Sequence, residues 1–284
     1  MSSLLLIDGH AVMYRAFYAI KELTTADGHP TNAVYGFIRM LGQMQRVWNP
    51  THWAVIFDGG LPEERMEILP TYKAQRDPMP DSLRQQFDLI DEYLALSEIP
   101  SICIENEEAD DVMASLADRA QQAGYLVFLA TSDKDLFQAV NEKIFMVPPS
   151  KSDARIGVDE IIGKTGVGPE KIVEWLSLTG DASDNIPGVP GVGSKTASKL
   201  LNQFGSLDQL WKQLENVSSE KLKEALEEHK DSVIRNIQII TLRKEIDCPI
   251  DWNDLTVRDP KSDQLLPFFK RLEFDGLARA LKTN

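Results

Sequence analysis

Four short, uninterrupted apolar runs end on acids, and this repeated pattern constrains the fold more than any other feature of the chain. Ser3 to Ile7 runs into Asp8-Gly9-His10, and Trp53 to Phe57 stops at Asp58-Gly59-Gly60. Ser101 to Ile104 leads through Glu105-Asn106-Glu107 into Glu108-Ala109-Asp110-Asp111. Tyr125 to Ala130 ends in Thr131-Ser132-Asp133-Lys134-Asp135, and Lys143 to Val147 is a candidate fifth run. Strands that read as continuous apolar runs between helical segments are covered on both faces. The pattern therefore predicts an α/β fold with a mainly parallel central sheet flanked by helices. Ligands of such sheets bind beyond the carboxyl ends of the strands, where the acids fall.

From Ala109 the apolar residues Val112, Met113, Leu116, Ala117 and Ala120 keep a 3.6-residue period, so the Glu-Ala-Asp-Asp stretch heads an amphipathic helix. Acids at a helix start also cap free N–H groups and complement the dipole, which is the structural reading of this motif alone. Seven acids share one sheet edge: Asp8, Asp58, Glu108, Asp110, Asp111, Asp133 and Asp135. With no comparable set of Lys or Arg expected there to neutralise them, they point to a metal site. Carboxylate-only ligands suit Mg²⁺, with Mn²⁺ as a substitute, and disfavour zinc and copper. Their number suggests two ions, the arrangement used in phosphodiester hydrolysis. A Ca²⁺ store is the main metal alternative, although no loop resembles an EF-hand. His10, His29, His52 and His229 show no partner pattern and read as structural or surface residues.

A formal net charge of −14 argues against a protein that coats nucleic acid by bulk electrostatics, so DNA binding would be local and metal-assisted. Cys103 and Cys248 form neither a disulfide framework nor a zinc pattern and read as reduced, buried thiols. The first apolar run is too short for a signal peptide or a membrane span, which gives a cytoplasmic expectation without membrane partners. Residues 1–157 are expected to form the metal-binding α/β core and residues 158–284 a helical region.

Between the second and third runs, residues 61–98 form an insertion that could guide substrate. Within it Tyr72, Lys73 and Arg76 offer a ring and two cations toward phosphates, or else an ordinary exposed helix face. Further on, Gly188, Gly191 and Gly193 permit a tight hairpin before a helix starting near Ser194. The stretch from Asn185 to Phe204 carries Lys195 and Lys199 and no acid. P-loop spacing is absent, whereas Pro-Gly-Val-Pro-Gly-Val-Gly-Ser-Lys-Thr-Ala is a specific helix-hairpin-helix signature within residues 176–204. Gripping a DNA backbone through Gly188, Gly191, Gly193, Ser194, Lys195, Thr196 and Lys199 is its natural use.

Taken together, the chain resembles the 5′-nuclease domain of bacterial DNA polymerase I and its stand-alone relatives in the flap endonuclease family. The resemblance rests on Leu-Leu-Ile-Asp-Gly-His (5–10) with Tyr14-Arg15, Ala-Val-Tyr-Gly-Phe (33–37), Phe57-Asp58-Gly59, Tyr-Lys-Ala-Gln-Arg (72–76) and Glu-Ala-Asp-Asp (108–111). Thr-Ser-Asp-Lys-Asp (131–135), Leu-Thr-Gly-Asp-Ala-Ser-Asp-Asn (178–185) and the glycine hairpin complete it. It implies a PIN-like fold with a helical arch over residues 61–98. It also implies a first metal site at Asp8, Asp58, Glu108 and Asp110 with Asp111 adjoining, and a second at Asp133, Asp135, Asp181 and Asp184. Tyr72, Lys73 and Arg76 would act at the arch base, Tyr14 and Arg15 in support, and the hairpin would hold duplex with a bound K⁺.

The implied activity is that of a structure-selective 5′-nuclease acting on DNA with a 5′ flap or 5′ single-stranded end, as a monomer. Where the family has Lys after Phe-Asp-Gly and then Phe-Arg-His, this chain has Gly60 and Glu64-Arg65-Met66, a change expected to affect strand threading or flap preference. An RNA endonuclease on the same fold and a DNA-junction binding protein that does not cut are the alternatives.

Overall fold

The computed structural model describes residues 2–149 and 153–281, so residues 1 and 150–152 of the first expected region and 282–284 of the second lie outside it. Its centre is a five-stranded sheet of β1 (Ser3–Asp8), β2 (His52–Phe57), β3 (Ser101–Cys103), β4 (Leu126–Ala130) and β5 (Ile144–Met146), in the order β3-β2-β1-β4-β5. Every pairing in it is parallel. The runs of β1, β2 and β4 became the buried central strands because they are long and uncharged up to their ends, whereas β3 and β5 are three-residue edge strands. Chain order runs outward from β1 to β3, then resumes on the other side of β1 with β4. The switch point between β1 and β4 is where a ligand crevice forms in such sheets.

Alternate residues of each strand serve opposite layers. Leu4, Leu6, Ala54, Ile56, Val127 and Leu129 face a core shared with α6 (Ala109–Gln122), while Leu5, Ile7, Val55, Phe128 and Ala130 face a second core. The second core is closed by α1 (Gly9–Ala19), α2 (Asn32–Trp48) and residues of the segment that follows β2. In that segment lie α3 (Glu63–Ile68), a turn over residues 70–75, α4 (Asp81–Arg84) and α5 (Phe87–Leu96). Its second half is docked, since Leu83, Ile90 and Leu94 are buried. Gln86 is wholly buried: its Oε1 accepts from the N–H groups of Ala33 (2.8 Å) and Val34 (3.2 Å), and its Nε2 donates to Asn32 Oδ1 and the Ser82 carbonyl. The start of α2 has no side-chain cap from Thr31, and Gln86 satisfies those orphan donors instead.

After β5 come α7 (Val158–Thr165), α8 (Ile172–Thr179), the antiparallel pair β6 (Gly180–Asp181) and β7 (Ile186–Pro187), α9 (Ser194–Phe204), α10 (Leu207–Lys212), α11 (Glu220–Glu228) and α12 (Lys230–Ile240). These share the core of α6. The last two helices, α13 (Ser262–Arg271) and α14 (Asp275–Ala280), return to the opposite face, where Phe268 and Phe269 meet Tyr93 and Phe274 meets Tyr35. Residues beyond 158 therefore cover both faces of the sheet. Cys248 is buried as expected, but Cys103 is exposed because β3 is the edge strand. No helix among the described residues is long and apolar enough to cross a membrane.

Candidate metal centre

A cleft of about 510 Å³ opens at the carboxyl ends of the strands, lined by Asp8, Asp58, Glu108, Asp110 and Asp133 together with His10. Asp8 closes β1 and caps α1: one carboxylate oxygen accepts the Ala11 N–H (2.9 Å) and the other the Thr131 hydroxyl (3.0 Å). That second bond spans the switch point. Asp58 follows β2 and is anchored at both oxygens, Oδ1 by the Ala109 N–H (2.8 Å) and Oδ2 by His10 Nδ1 (3.0 Å). Gly59 permits this approach, since a Cβ there would lie 1.8 Å from the Ile104 carbonyl oxygen. Glu108 occupies the N-cap position of α6 but makes no capping bond; its buried carboxylate turns to the cleft, where Arg65, Lys73 and Tyr72 hold it.

The helical region delivers two more acids. The β6–β7 pair holds Asp181 at a strand end and Asp184 in the connecting turn, and Gly180 and Gly188 let its backbones touch. A Cβ on Gly188 would fall 2.2 Å from the Thr179 carbonyl carbon. Asp184 accepts from Arg76 (2.7 Å) and lies 3.3 Å from the Tyr72 hydroxyl, and Asp181 pairs with Lys134 (2.9 Å). Asp133 Oδ1 accepts the Asp135 N–H at 3.0 Å.

The expectation that no basic set neutralises the acids is corrected by the structure. Arg65 pairs with Glu108 and Asp111, Lys73 with Glu108 and Asp184, Arg76 with Asp184, Lys134 with Asp181, and Arg243 with Glu107 and Asp111. Each partner lies far in sequence from the acid it neutralises, so no local pattern announced the pairings. Nor do Tyr72 and Lys73 form an exposed helix face: they sit in the turn over residues 70–75 with their side chains buried against Glu108 and Asp184. Tyr14 lines the cleft, whereas Arg15 is exposed and absent from its lining. Neighbouring helix positions point about 100° apart, which separates the two.

Electrostatics favour a cation despite these partners. Burial first, then the charges of Asp58 and Asp133, pushes the Asp8 carboxyl up to about 6. Asp110 and Asp135 are held well above the usual range by burial and by neighbouring carboxylates, and Asp133 is raised for the same reasons. Burial also acts on Asp58 and Asp181, but hydrogen bonds from His10 and Ala109 to the one, and from Ser183 and Lys134 to the other, bring both below the ordinary value. Asp135 Oδ1 is buried without a hydrogen-bond partner. An unsatisfied buried carboxylate oxygen beside raised carboxyls is the environment a hard, oxygen-seeking divalent ion relieves. Glu108, Asp110 and Asp111 present oxygens within 4.8 Å of one another.

His10 is the site residue that sequence reasoning set aside. Its ring packs edge-on against Phe57 and touches Phe87 while its Nδ1 holds Asp58. Its place directly after Asp8-Gly9 at a strand end was the available signal. In the glycine hairpin, Val189 and Val192 are buried, and Trp175 Nε1 donates to Ser198 Oγ (3.0 Å) across α8 and α9. Lys195 and Lys199 are exposed, and Gly193 leaves the start of α9 without a side-chain cap.

Residues 3–166 match the family described as 5′-3′ exonuclease, N-terminal resolvase-like domain, and residues 167–263 match 5′-3′ exonuclease, C-terminal SAM fold. The 5′-3′ exonuclease of Aquifex aeolicus is 35% identical over 279 residues, covering 98% of this chain and 95% of the relative. DNA polymerase I of Bacillus caldotenax is 36% identical over 99% of this chain, which spans only 32% of that protein. Among solved structures, a bacteriophage T5 flap endonuclease in a pseudo-enzyme-product complex with DNA and metal ions superposes with a TM-score of 0.70 at 22% identity. It covers 84% of this chain and 89% of the other.

Proposed function

Since the chain belongs to the 5′-3′ exonuclease family, we propose that it is a metal-dependent, structure-selective 5′-nuclease that hydrolyses DNA phosphodiesters at a 5′ flap or 5′ single-stranded end. The observation that carries this reading is the gathering of carboxylates from four strand ends in one cleft, with Asp181 and Asp184 of the helical region close enough to raise the carboxyls of Asp133 and Asp135 beside it. The DNA and metal ions in the complex of the phage flap endonuclease support it.

Asp8, Asp58, Glu108 and Asp110 would hold one Mg²⁺ or Mn²⁺, and Asp133, Asp135, Asp181 and Asp184 a second. Such ions, when bound, polarise the scissile phosphate and lower the pKa of water, so the chemistry asks for no protein base. The chain's own residues do the positioning. Lys73 and Arg76 now neutralise Glu108 and Asp184 and would exchange those carboxylates for substrate phosphate. Tyr14 offers an aromatic face at the cleft wall. The uncapped start of α9, with Ser194, Lys195 and Thr196, would take one duplex backbone through its N–H groups, with K⁺ at the glycine hairpin. In this division of labour residues 1–157 supply most of the cutting site, with residues 61–98 guiding the strand, while residues 158–284 grip duplex and lend Asp181 and Asp184 to the second metal.

The test is cleavage of a 5′-labelled double-flap DNA, with structured RNA in parallel, in Mg²⁺, Mn²⁺, Ca²⁺ and EDTA. Cutting of the DNA at the junction in Mg²⁺ or Mn²⁺ alone is expected. Tight junction binding with no cutting under any metal would make this a binding protein, and preferential cutting of RNA would reassign the substrate.

A further inference from the structure

Asp111 lies in the motif expected to ligate metal, yet its surroundings give it a different task. Four donors surround its wholly buried carboxylate. Arg65 binds it in a fork at 2.7 and 2.9 Å, the Arg243 N–H donates to Oδ1 at 2.8 Å, and Arg243 Nη2 approaches Oδ2 at 3.4 Å. A carboxylate has about four lone-pair sites, so all are taken, and Asp111, unlike the equally bonded Glu108, does not line the cleft. Arg65 is itself buried, and its fork also reaches Glu108 and the Thr241 carbonyl (3.4 Å). Glu108 and Asp111 stand one helical turn apart, which is the spacing a single guanidinium bridges. Arg243, just beyond α12, completes the group by pairing with Glu107.

We propose that Asp111 is not a metal ligand but the internal anion that fixes Arg65, and that Arg65 is a positioning residue holding the Glu108 carboxylate toward the metal cleft. The chain segment after α12 thereby sets the geometry of a site it does not enter. This inference rests on the metal reading above, and its test separates the two.

Apo melting temperature and Mn²⁺ binding followed by electron paramagnetic resonance are measured on the full chain and on Asp8→Asn, Asp111→Asn and the double variant Arg65→Met/Asp111→Leu. Asp111→Asn leaves Arg65 underpaired and is expected to lower the apo melting temperature by about 10 °C, with Mn²⁺ affinity changed less than about threefold. The double variant replaces the buried pair by apolar side chains. It should melt within a few degrees of the parent while binding Mn²⁺ about 10- to 100-fold more weakly, because Glu108 has lost its partner. A raised apo melting temperature with loss of Mn²⁺ binding in Asp111→Asn would make Asp111 a ligand and overturn the proposal. Unchanged Mn²⁺ affinity in the double variant would overturn the positioning role, even if Asp111→Asn fails to fold. Unchanged binding in Asp8→Asn would instead count against the metal reading itself.

Discussion

The backbone N–H of Lys73 donates to the carbonyl oxygen of Asp184 at 3.0 Å, while the ammonium of the same lysine pairs with the Glu108 and Asp184 carboxylates. Lys73 holds a left-handed backbone conformation (φ 54°) to do so. A non-glycine residue in that region costs on the order of 1 kcal/mol or more, which the surrounding contacts must offset. The lysine thus acts as the resident counter-ion between an acid of α6 and an acid of the helical region.

Lys73→Met should therefore separate metal binding from turnover. Removing the competing cation is expected to tighten Mn²⁺ binding roughly fivefold. Cleavage should fall by about 10²- to 10³-fold as phosphate loses a charged partner. Metal titration and single-turnover cleavage of a flap DNA measure the two effects separately.

Asp8 makes apo stability depend on pH with a definite sign. Its native carboxyl titrates near 6 against an ordinary value of 3.8, so the native state binds this proton more tightly than the unfolded chain. The stability it contributes is full below pH 3.8 and is lost as pH rises through about 6. The swing is about 3 kcal/mol. Melting curves in EDTA at pH 5 and pH 7 should differ less for Asp8→Asn than for the parent, and equal differences would assign the slope to other groups.

His10→Ala removes one of the two anchors of Asp58. Partners that orient a metal-binding carboxylate typically contribute 10- to 100-fold in affinity, so Mn²⁺ binding should weaken by about tenfold with little change in apo melting. Calorimetric titration would show it. An unaltered affinity would confine His10 to packing on Phe57 and Phe87.

In the helical region, Lys195→Ala should leave Mn²⁺ binding untouched and weaken binding of duplex DNA. If this exposed lysine contacts one phosphate, the slope of log affinity against log salt falls by about one. Fluorescence anisotropy across a salt series gives that slope directly.

Sheet and carboxylates were legible because each strand is an apolar run with acids directly after it, as at Ile7-Asp8 and Phe57-Asp58, or within a few residues, as at Glu108 and Asp133. Asp181 and Asp184 follow no such run, and only family resemblance pointed to them. Of the counter-ions, Lys73 and Arg76 were legible only as cations for phosphate, and Arg65 and Arg243 were not legible in that role. Arg65 and Arg243 lie 46 and 132 residues from Asp111, and nothing local distinguishes them from surface arginines. Cys103 was misread as buried because an apolar run does not say whether its strand lies at the edge of the sheet. The reversal of α13 and α14 onto the opposite face depends on contacts such as Phe268 with Tyr93, which periodicity within one helix cannot reveal.

Buried Gln86 has a mechanical consequence. By bonding Ala33, Val34, Asn32 and Ser82 at once, it ties its segment to the start of α2, while the Lys73–Asp184 bond clamps the chain on the other side of the cleft. Gln75 and Arg76 are bonded to the same turn, so between these fastenings only residues 77–81 are left as a tether, at most about 18 Å when fully drawn out. Any widening that admits a bulky substrate without breaking either fastening must come from paying out that short length of chain. A disulfide or proline placed there would throttle entry while leaving the carboxylates as they are.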